Sequence, residues 1–319
     1  MLTRSPRDGS SAWLAAGIAG AVAFVVYART LLPGIAFADW GEMQTVPHVL
    51  GVAHPTGYPS YVLLAWLAQL GPVGSVAFRS NLLSAVLVSG TVAVSVLILR
   101  RLGVGSQVAI GAGLALAAVR TVWSAATVAE VNPLHLLFIA LLLHRALVWE
   151  ERRRSRDLLI GALLLGLALG NHLLTVFAGP FIAAFVVWAG RWALIARPWL
   201  VPGAAVAGLA GLSVYLYIPI AASLSPPLPY NHPVTFDAVW WLVSGHQFRD
   251  QFDFLAAGGP ATFVGSLPGL WSLLVSRATA VVPNPRIGTT AVARSWGLAA
   301  SPCWSGDARR SAWPAPQSS

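Results

Sequence analysis

The stretch FADWGEMQTVPHVLGVAHPTGYPSY, from Phe37 to Tyr61, places two carboxylates and two histidines directly after an apolar segment. Asp39 and Glu42 are three residues apart, so a helix would present both on one face. A partly desolvated carboxylate can act as a general base. The same pair also fits glycoside hydrolysis, a solvated loop, or acids answering a helix macrodipole. His54 sits in HPTGYP, where Pro55 and Pro59 restrict the backbone and Gly57 permits a sharp turn before Tyr58. Such a loop can hold a polar side chain in a fixed place, or simply lead into a helix. Further along, Arg79 is a lone cation whose guanidinium suits a phosphate or a carboxylate, or anchors at an interface. Glu130 and Asn132 in ATVAEVNPLH, and Asn171 with His172 in LALGNHLLTV, interrupt apolar runs, where polar groups need partners or a cavity. For Asn171 and His172 the plain alternative is hydrogen bonding between helices. His135 and His144 read as packing residues, while His48, His232 and His246 have weaker claims.

The elements that must position these groups are helices in a membrane. Of 319 residues, 56% are hydrophobic and only 10% charged, against roughly 25% charged in a soluble domain. The mean hydropathy is +0.70. The formal net charge of +9 comes entirely from arginine, clustered between apolar segments at Arg4 and Arg7, Arg100 and Arg101, Arg152 to Arg156, and Arg191 and Arg197. That distribution follows the positive-inside rule and excludes a nucleic-acid partner. Cys303 is the only cysteine, which excludes an intrachain disulfide. No HExxH, zinc-finger, Walker or dinucleotide fingerprint occurs, so no cofactor is required; a divalent metal is chemically possible at the carboxylates and histidines.

The patterning predicts an all-α polytopic bundle of about eight spans. These are Ala12 to Leu32, Leu82 to Leu99, Val104 to Val119, Pro133 to Val148, Leu158 to Gly170, Leu173 to Ala189, Leu200 to Ile220 and Thr262 to Val282. The first also resembles a secretory signal, but its apolar run is longer than usual for one. Tyr58 to Leu70 and Phe236 to Val243 are too short to cross and read as interfacial helices. Residues 1–282 are expected to form the transmembrane domain, with outer loops at about 33–78 and 221–260, and 283–319 a weakly ordered tail of truncated character. The chain is expected in the plasma membrane with its N-terminus cytoplasmic and the candidate groups outside.

Several stretches carry a resemblance: FADWGEMQTVPHVLGVAHPTGYPSYVLLAWLAQL, GSVAFRSNLLSAV, AEVNPLHLLFIALLL, GLALGNHLLTVFAGP, and YLYIPIAASLSPPLPYNHPVTFDAVWWLVSGHQFRDQF. Together they resemble a bacterial multi-pass membrane family related to eukaryotic transmembrane protein O-mannosyltransferases. The resemblance implies a GT-C type fold. It also implies a glycosyltransferase that moves sugar from a polyprenyl-phosphate donor to a protein or glycan acceptor on the non-cytoplasmic side. It assigns the essential acid to Asp39 with Glu42 beside it. Donor or substrate contacts fall to His54, Tyr58, Arg79, Glu130, Asn171 and His172, with Arg249 a further phosphate partner. Ala221 and Ala222 follow Ile220 where relatives are expected to carry an arginine. The rival readings are a transporter or flippase for a lipid-linked substrate, which would show paired broken helices in repeated halves, and a non-catalytic truncated relative.

Overall fold

In the computed structural model, residues 9–248 are described, and among them the regular structure is helical, with one isolated bridge between Val52 and Pro229. A long first helix, α1 (Gly9–Arg29), is followed by two short ones, α2 (Ala38–Thr45) and α3 (Pro59–Gln69). The bundle continues through α4 (Val76–Arg101), α5 (Ser106–Ala118), α6 (Arg120–Ala126), α7 (Asn132–Arg152), α8 (Ser155–Leu169) and α9 (Thr175–Ala196). Then come α10 (Leu200–Leu212), a 3-10 turn over Ser213–Leu216, α11 (Tyr217–Ser223) and α12 (Phe236–Val243).

Local chemistry sets several boundaries. Ser75 caps α4 by accepting from the Phe78 amide at 3.1 Å. Pro59 and Pro133 stand in the first turns of α3 and α7, where no amide donor is needed. Thr235 caps α12, accepting from the Ala238 amide.

Among the described residues, five helical segments are long and apolar enough to cross a membrane: Ser10–Arg29, Val76–Arg101, Asn132–Arg152, Thr175–Ala196 and Leu200–Ser223. The expected span at Val104 to Val119 is instead a broken one: α5 and α6 meet at 73°, and count as a sixth crossing only together. The 15 residues of α8 reach about 22 Å, short of a hydrocarbon core of roughly 30 Å. The segment read as Thr262 to Val282 lies outside the described residues. Hence the described residues hold five or six candidate crossings, where hydropathy leads to an expectation of about eight over the whole chain. The outer surface agrees with lipid as the solvent, since Phe177, Phe181, Trp188, Trp192 and Ile195 of α9 are all exposed.

Small residues allow the helices to approach. Ala15, Ala16, Ala19 and Ala23 of α1 pack against Ala85, Val88 and Val92 of α4, with Ala109 and Ala117 of α5 in the same core. Between α8 and α10 the backbones are closer still. A Cβ on Gly166 would lie 2.2 Å from the Gly208 carbonyl oxygen, and one on Gly211 2.3 Å from that of Leu163. No residue but glycine fits that crossing.

The helices alternate so that the bundle has two chemically different ends. At one, Arg100 donates to Ser11, Arg101 to His144 and Glu151, and Arg197 to the Arg153 carbonyl. At the other, α2, α3, the starts of α4, α7 and α9, and α11 come together. The candidate groups are at this second end.

Candidate functional site

The loop that carries Asp39 and Glu42 is tied down by buried amides. Gln44 of α2 accepts from the Ala36 amide at 2.9 Å and donates to Asn81 Oδ1 at 2.8 Å. Asn81, fully buried on α4, donates to the Leu32 and Gly34 carbonyls and accepts from the Ala129 amide. Gln69 of α3 completes the net, donating to the Gln44 carbonyl at 2.9 Å and to Ser80 Oγ at 2.8 Å. One side chain, Asn81, therefore joins the segment before Asp39 to the segment that ends at Glu130.

The HPTGYP turn is fixed from the other side. Gly57 takes φ +81°, and a Cβ there would meet Ile218 Cδ1 at 2.9 Å, so the turn packs glycine against α11. Ser60 reaches α8 through its amide to the Gly170 carbonyl and its hydroxyl to the Leu167 carbonyl. Tyr217 donates to the Gly51 carbonyl at 2.8 Å.

These supports hold Glu42 and His54 together. The Glu42 carboxylate accepts from the His54 amide at 2.8 Å and from His54 Nδ1 at 2.6 Å. Tyr58 donates to the Pro55 carbonyl at 2.9 Å, and its oxygen lies 3.3 Å from His54 Nε2. The electrostatics agree. The hydrogen bond to Glu42 raises the His54 pKa above its ordinary value against the opposing effect of burial, and the charges of Glu42 and Asp39 add to it. Burial pushes the Glu42 carboxyl up, but the side-chain and backbone hydrogen bonds from His54 and its charge outweigh this and hold it below the usual range. Tyr58, desolvated and facing the same two acids, is pushed up to about 12 and stays neutral.

Asp39 differs from Glu42. It is exposed, and no hydrogen bond from a described residue reaches its carboxylate. Its charge nevertheless acts on His54, Tyr58 and Glu130. Glu130 is raised chiefly by burial and further by Asp39, against a hydrogen bond from Asn132. Asp39, without a hydrogen-bond partner among the described residues, thus stands beside a closed ion pair and within electrostatic reach of a second, partly buried acid. Ligand atoms of Asp39, Glu42 and His54 also lie within 4.8 Å of one another, a spacing a divalent cation can bridge.

Other expected residues are placed differently. His172 lies next to the site, its ring 6.3 Å from that of Tyr58 and 4.9 Å from that of His135, and burial lowers its pKa. His135, read from the sequence as packing, therefore belongs to the same row of rings. Asn171 is buried and donates to the Val131 carbonyl at 3.2 Å, the interhelical role, which positions the chain after Glu130. Arg79 donates to the Gly71 carbonyl, and its Nε is buried without a partner. No hydrogen bond or ion pair among the described residues joins it to Asp39, Glu42 or His54. Arg249 lies outside the described residues. Ala221 and Ala222, where an arginine is expected in relatives, are buried in the core around Val52, Ile218 and Leu242.

Gln44, Gln69 and Asn81 were not among the expected site residues. The one signal that could have found them is that all three are amides within otherwise apolar stretches.

Residues 39–195 match the family described as the protein O-mannosyl-transferase TMEM260 N-terminal domain. That range holds Asp39, Glu42, His54, Tyr58, Arg79, Glu130, Asn171 and His172. The chain is 35% identical over 237 residues to the mouse protein O-mannosyl-transferase TMEM260, which covers 69% of this chain and 33% of the mouse protein. A Dictyostelium discoideum protein O-mannosyl-transferase tmem260 is 40% identical over 43 residues, 14% of this chain and 5% of that protein. The chain thus spans a third of the mouse relative's length. No solved structure matches.

Proposed function

This chain is related to the eukaryotic protein O-mannosyl-transferases, and on that premise we propose that it is a membrane glycosyltransferase of GT-C type. It moves a sugar, mannose by analogy with the named relatives, from a polyprenyl-phosphate donor to a hydroxyl on a protein or glycan acceptor. The arginine-rich end of the bundle lies in the cytoplasm by the positive-inside rule. The site is then on the outer face of the plasma membrane, within the transmembrane domain of residues 1–282.

The observation that carries this reading is the contrast between the two first-loop acids. Glu42 is occupied by His54, whereas Asp39 is exposed and has no hydrogen-bond partner among the described residues. Asp39 takes the proton of the acceptor hydroxyl as its oxygen forms a bond to the sugar's anomeric carbon. The bond from that carbon to the phosphate oxygen breaks on the opposite face, so the anomeric configuration inverts. The electron pair leaves with polyprenyl phosphate, which is already an anion and needs positive charge rather than a proton. His54, whose pKa is raised by Glu42, supplies such charge when protonated, with Arg249 and Arg79 as further partners, while Tyr58, His172 and Glu130 contact the sugar-phosphate head. Glu42 acts as a positioning residue through His54.

A second reading is favoured by the close ligand atoms of Asp39, Glu42 and His54. These residues would hold a divalent cation, which would supply the charge that meets the donor phosphate. The test is release of labelled mannose from mannosyl-phosphoryl-polyprenol by purified protein in lipid, with and without a chelator. Chelator-resistant transfer supports the first reading, chelator-sensitive transfer the second. The absence of any transfer in the presence of acceptor contradicts both.

A further inference from the structure

A cavity of about 360 Å³ opens between α7, α8, α9 and α10, running from Arg145 and Asp157 near the arginine-rich end along α8 to Leu169. Its walls are almost wholly apolar, including Trp149, Leu165, Val186 and Leu212, and the Trp149 indole is already satisfied by the Val186 carbonyl at 3.1 Å. Two charged residues, Arg145 and Asp157, line the same space. They form an ion pair, Nη1 to Oδ1 at 3.1 Å. Asp157 is in the first turn of α8, close after Arg154, so the pair lies towards the arginine-rich end of the bundle.

Asp157 explains itself only in part. As an acid in the first turn of α8 it answers the helix dipole, and Oδ1 is met by Arg145. Its side chain is only 2% exposed, however, and Oδ2 is buried with no hydrogen-bond partner. A buried carboxylate oxygen left unmet is costly, and its natural complement is a cationic N–H donor. Arg145 is 29% exposed and has guanidinium donors beyond the one Asp157 uses.

We propose that this cavity is a binding site for one aminophospholipid of the phosphatidylethanolamine type. An acyl chain fills the apolar space, the primary ammonium donates to Asp157 Oδ2, and the phosphate is held by Arg145. The headgroup chemistry selects the occupant. Phosphatidylcholine carries no N–H and leaves Oδ2 unmet. Phosphatidylglycerol has hydroxyl donors but brings no positive charge to the carboxylate. The bound lipid ties α7 and α8 to α9 and α10, with its headgroup at the Arg145–Asp157 pair.

The test is native mass spectrometry of the purified full chain. The protein is equilibrated with equal amounts of phosphatidylethanolamine, phosphatidylcholine and phosphatidylglycerol of identical acyl chains. Wild type is expected to retain the ethanolamine lipid about tenfold over the choline lipid, the worth of one charge-assisted hydrogen bond. Asp157→Asn should bring the two to within about twofold, since the amide keeps the shape and loses the charge. Gly161→Phe should exclude all three lipids, because Gly161 lines the cavity and a Cβ there meets nothing closer than Arg145 Cβ at 3.8 Å. Equal retention of ethanolamine and choline lipids by wild type would overturn the proposal. So would a preference for phosphatidylglycerol, or an ethanolamine preference that survives both substitutions. The wild-type ratio decides even if a variant fails to fold.

Discussion

Replacing Asn81 by leucine should damage the protein more than any exposed substitution near the candidate site. Asn81 makes four hydrogen bonds, to Gln44, the Ala129 amide and the Leu32 and Gly34 carbonyls. Two partners survive its loss, because Gln44 Nε2 and the Gly34 carbonyl still have each other at 3.3 Å. The Ala129 amide and the Leu32 carbonyl do not. Ala129 is fully buried, so its amide bears the whole cost of desolvation, while Leu32 is partly open to solvent. At about 1–3 kcal/mol for the first and about 1 for the second, Asn81→Leu should cost about 2–4 kcal/mol. Ser84, three residues along the same helix, provides the control: it is equally buried, but its hydroxyl has no partner. Ser84→Ala should therefore be neutral or slightly stabilising. Unfolding of the two variants in mixed micelles, followed by circular dichroism, measures both. Asn81→Leu within 1 kcal/mol of wild type, or an equal loss in Ser84→Ala, would refute the view that this net holds the loop of Asp39 to the segment of Glu130.

Two further outcomes follow from the same geometry. Stability should depend on pH through the Glu42–His54 pair. The contribution of His54, whose pKa is raised, is complete below 6.5 and lost as pH climbs through its folded value. That of Glu42, whose pKa is lowered, is complete above 4.5 and lost as pH falls through its folded value. The pair therefore helps most between about pH 4.5 and 6.5, and melting curves of His54→Gln should lack the decline on the alkaline side. At the α8–α10 crossing, Gly166→Ala should lose at least about 1–3 kcal/mol to overpacking, whereas Gly111→Ala on α5, with open space around it, should hold or gain stability; parallel thermal melts of the two compare them.

Hydropathy and polar spacing made much of this legible. The short helices α3 and α12 lie within a residue of the segments read as too short to cross, because length and apolar content decide that question locally. HPTGYP was recognisable as a constrained turn since two prolines and a glycine act on their own backbone. Long-range geometry was not legible. Apolar content cannot distinguish a 15-residue α8 from a crossing helix, nor reveal the 73° break after Ala118. Asn81, Gln44 and Gln69 look like ordinary amides until the fold pairs residues as far apart as Asn81 and Ala129. Asp39 and Glu42 were equivalent by spacing; only His54, twelve residues on, makes them different. Arg79 was read by its charge, but its hydrogen bond goes to the neighbouring turn at Gly71.

The central claim is that Asp39 is the base of a sugar transfer at the first loop. Its direct measurement is the rate of labelled mannose transfer from mannosyl-phosphoryl-polyprenol in lipid vesicles, wild type against Asp39→Asn at matched insertion and melting temperature. Removal of a positioned general base should slow transfer by about 10²–10⁴-fold while donor binding is largely retained. Equal rates for the two proteins would contradict the assignment.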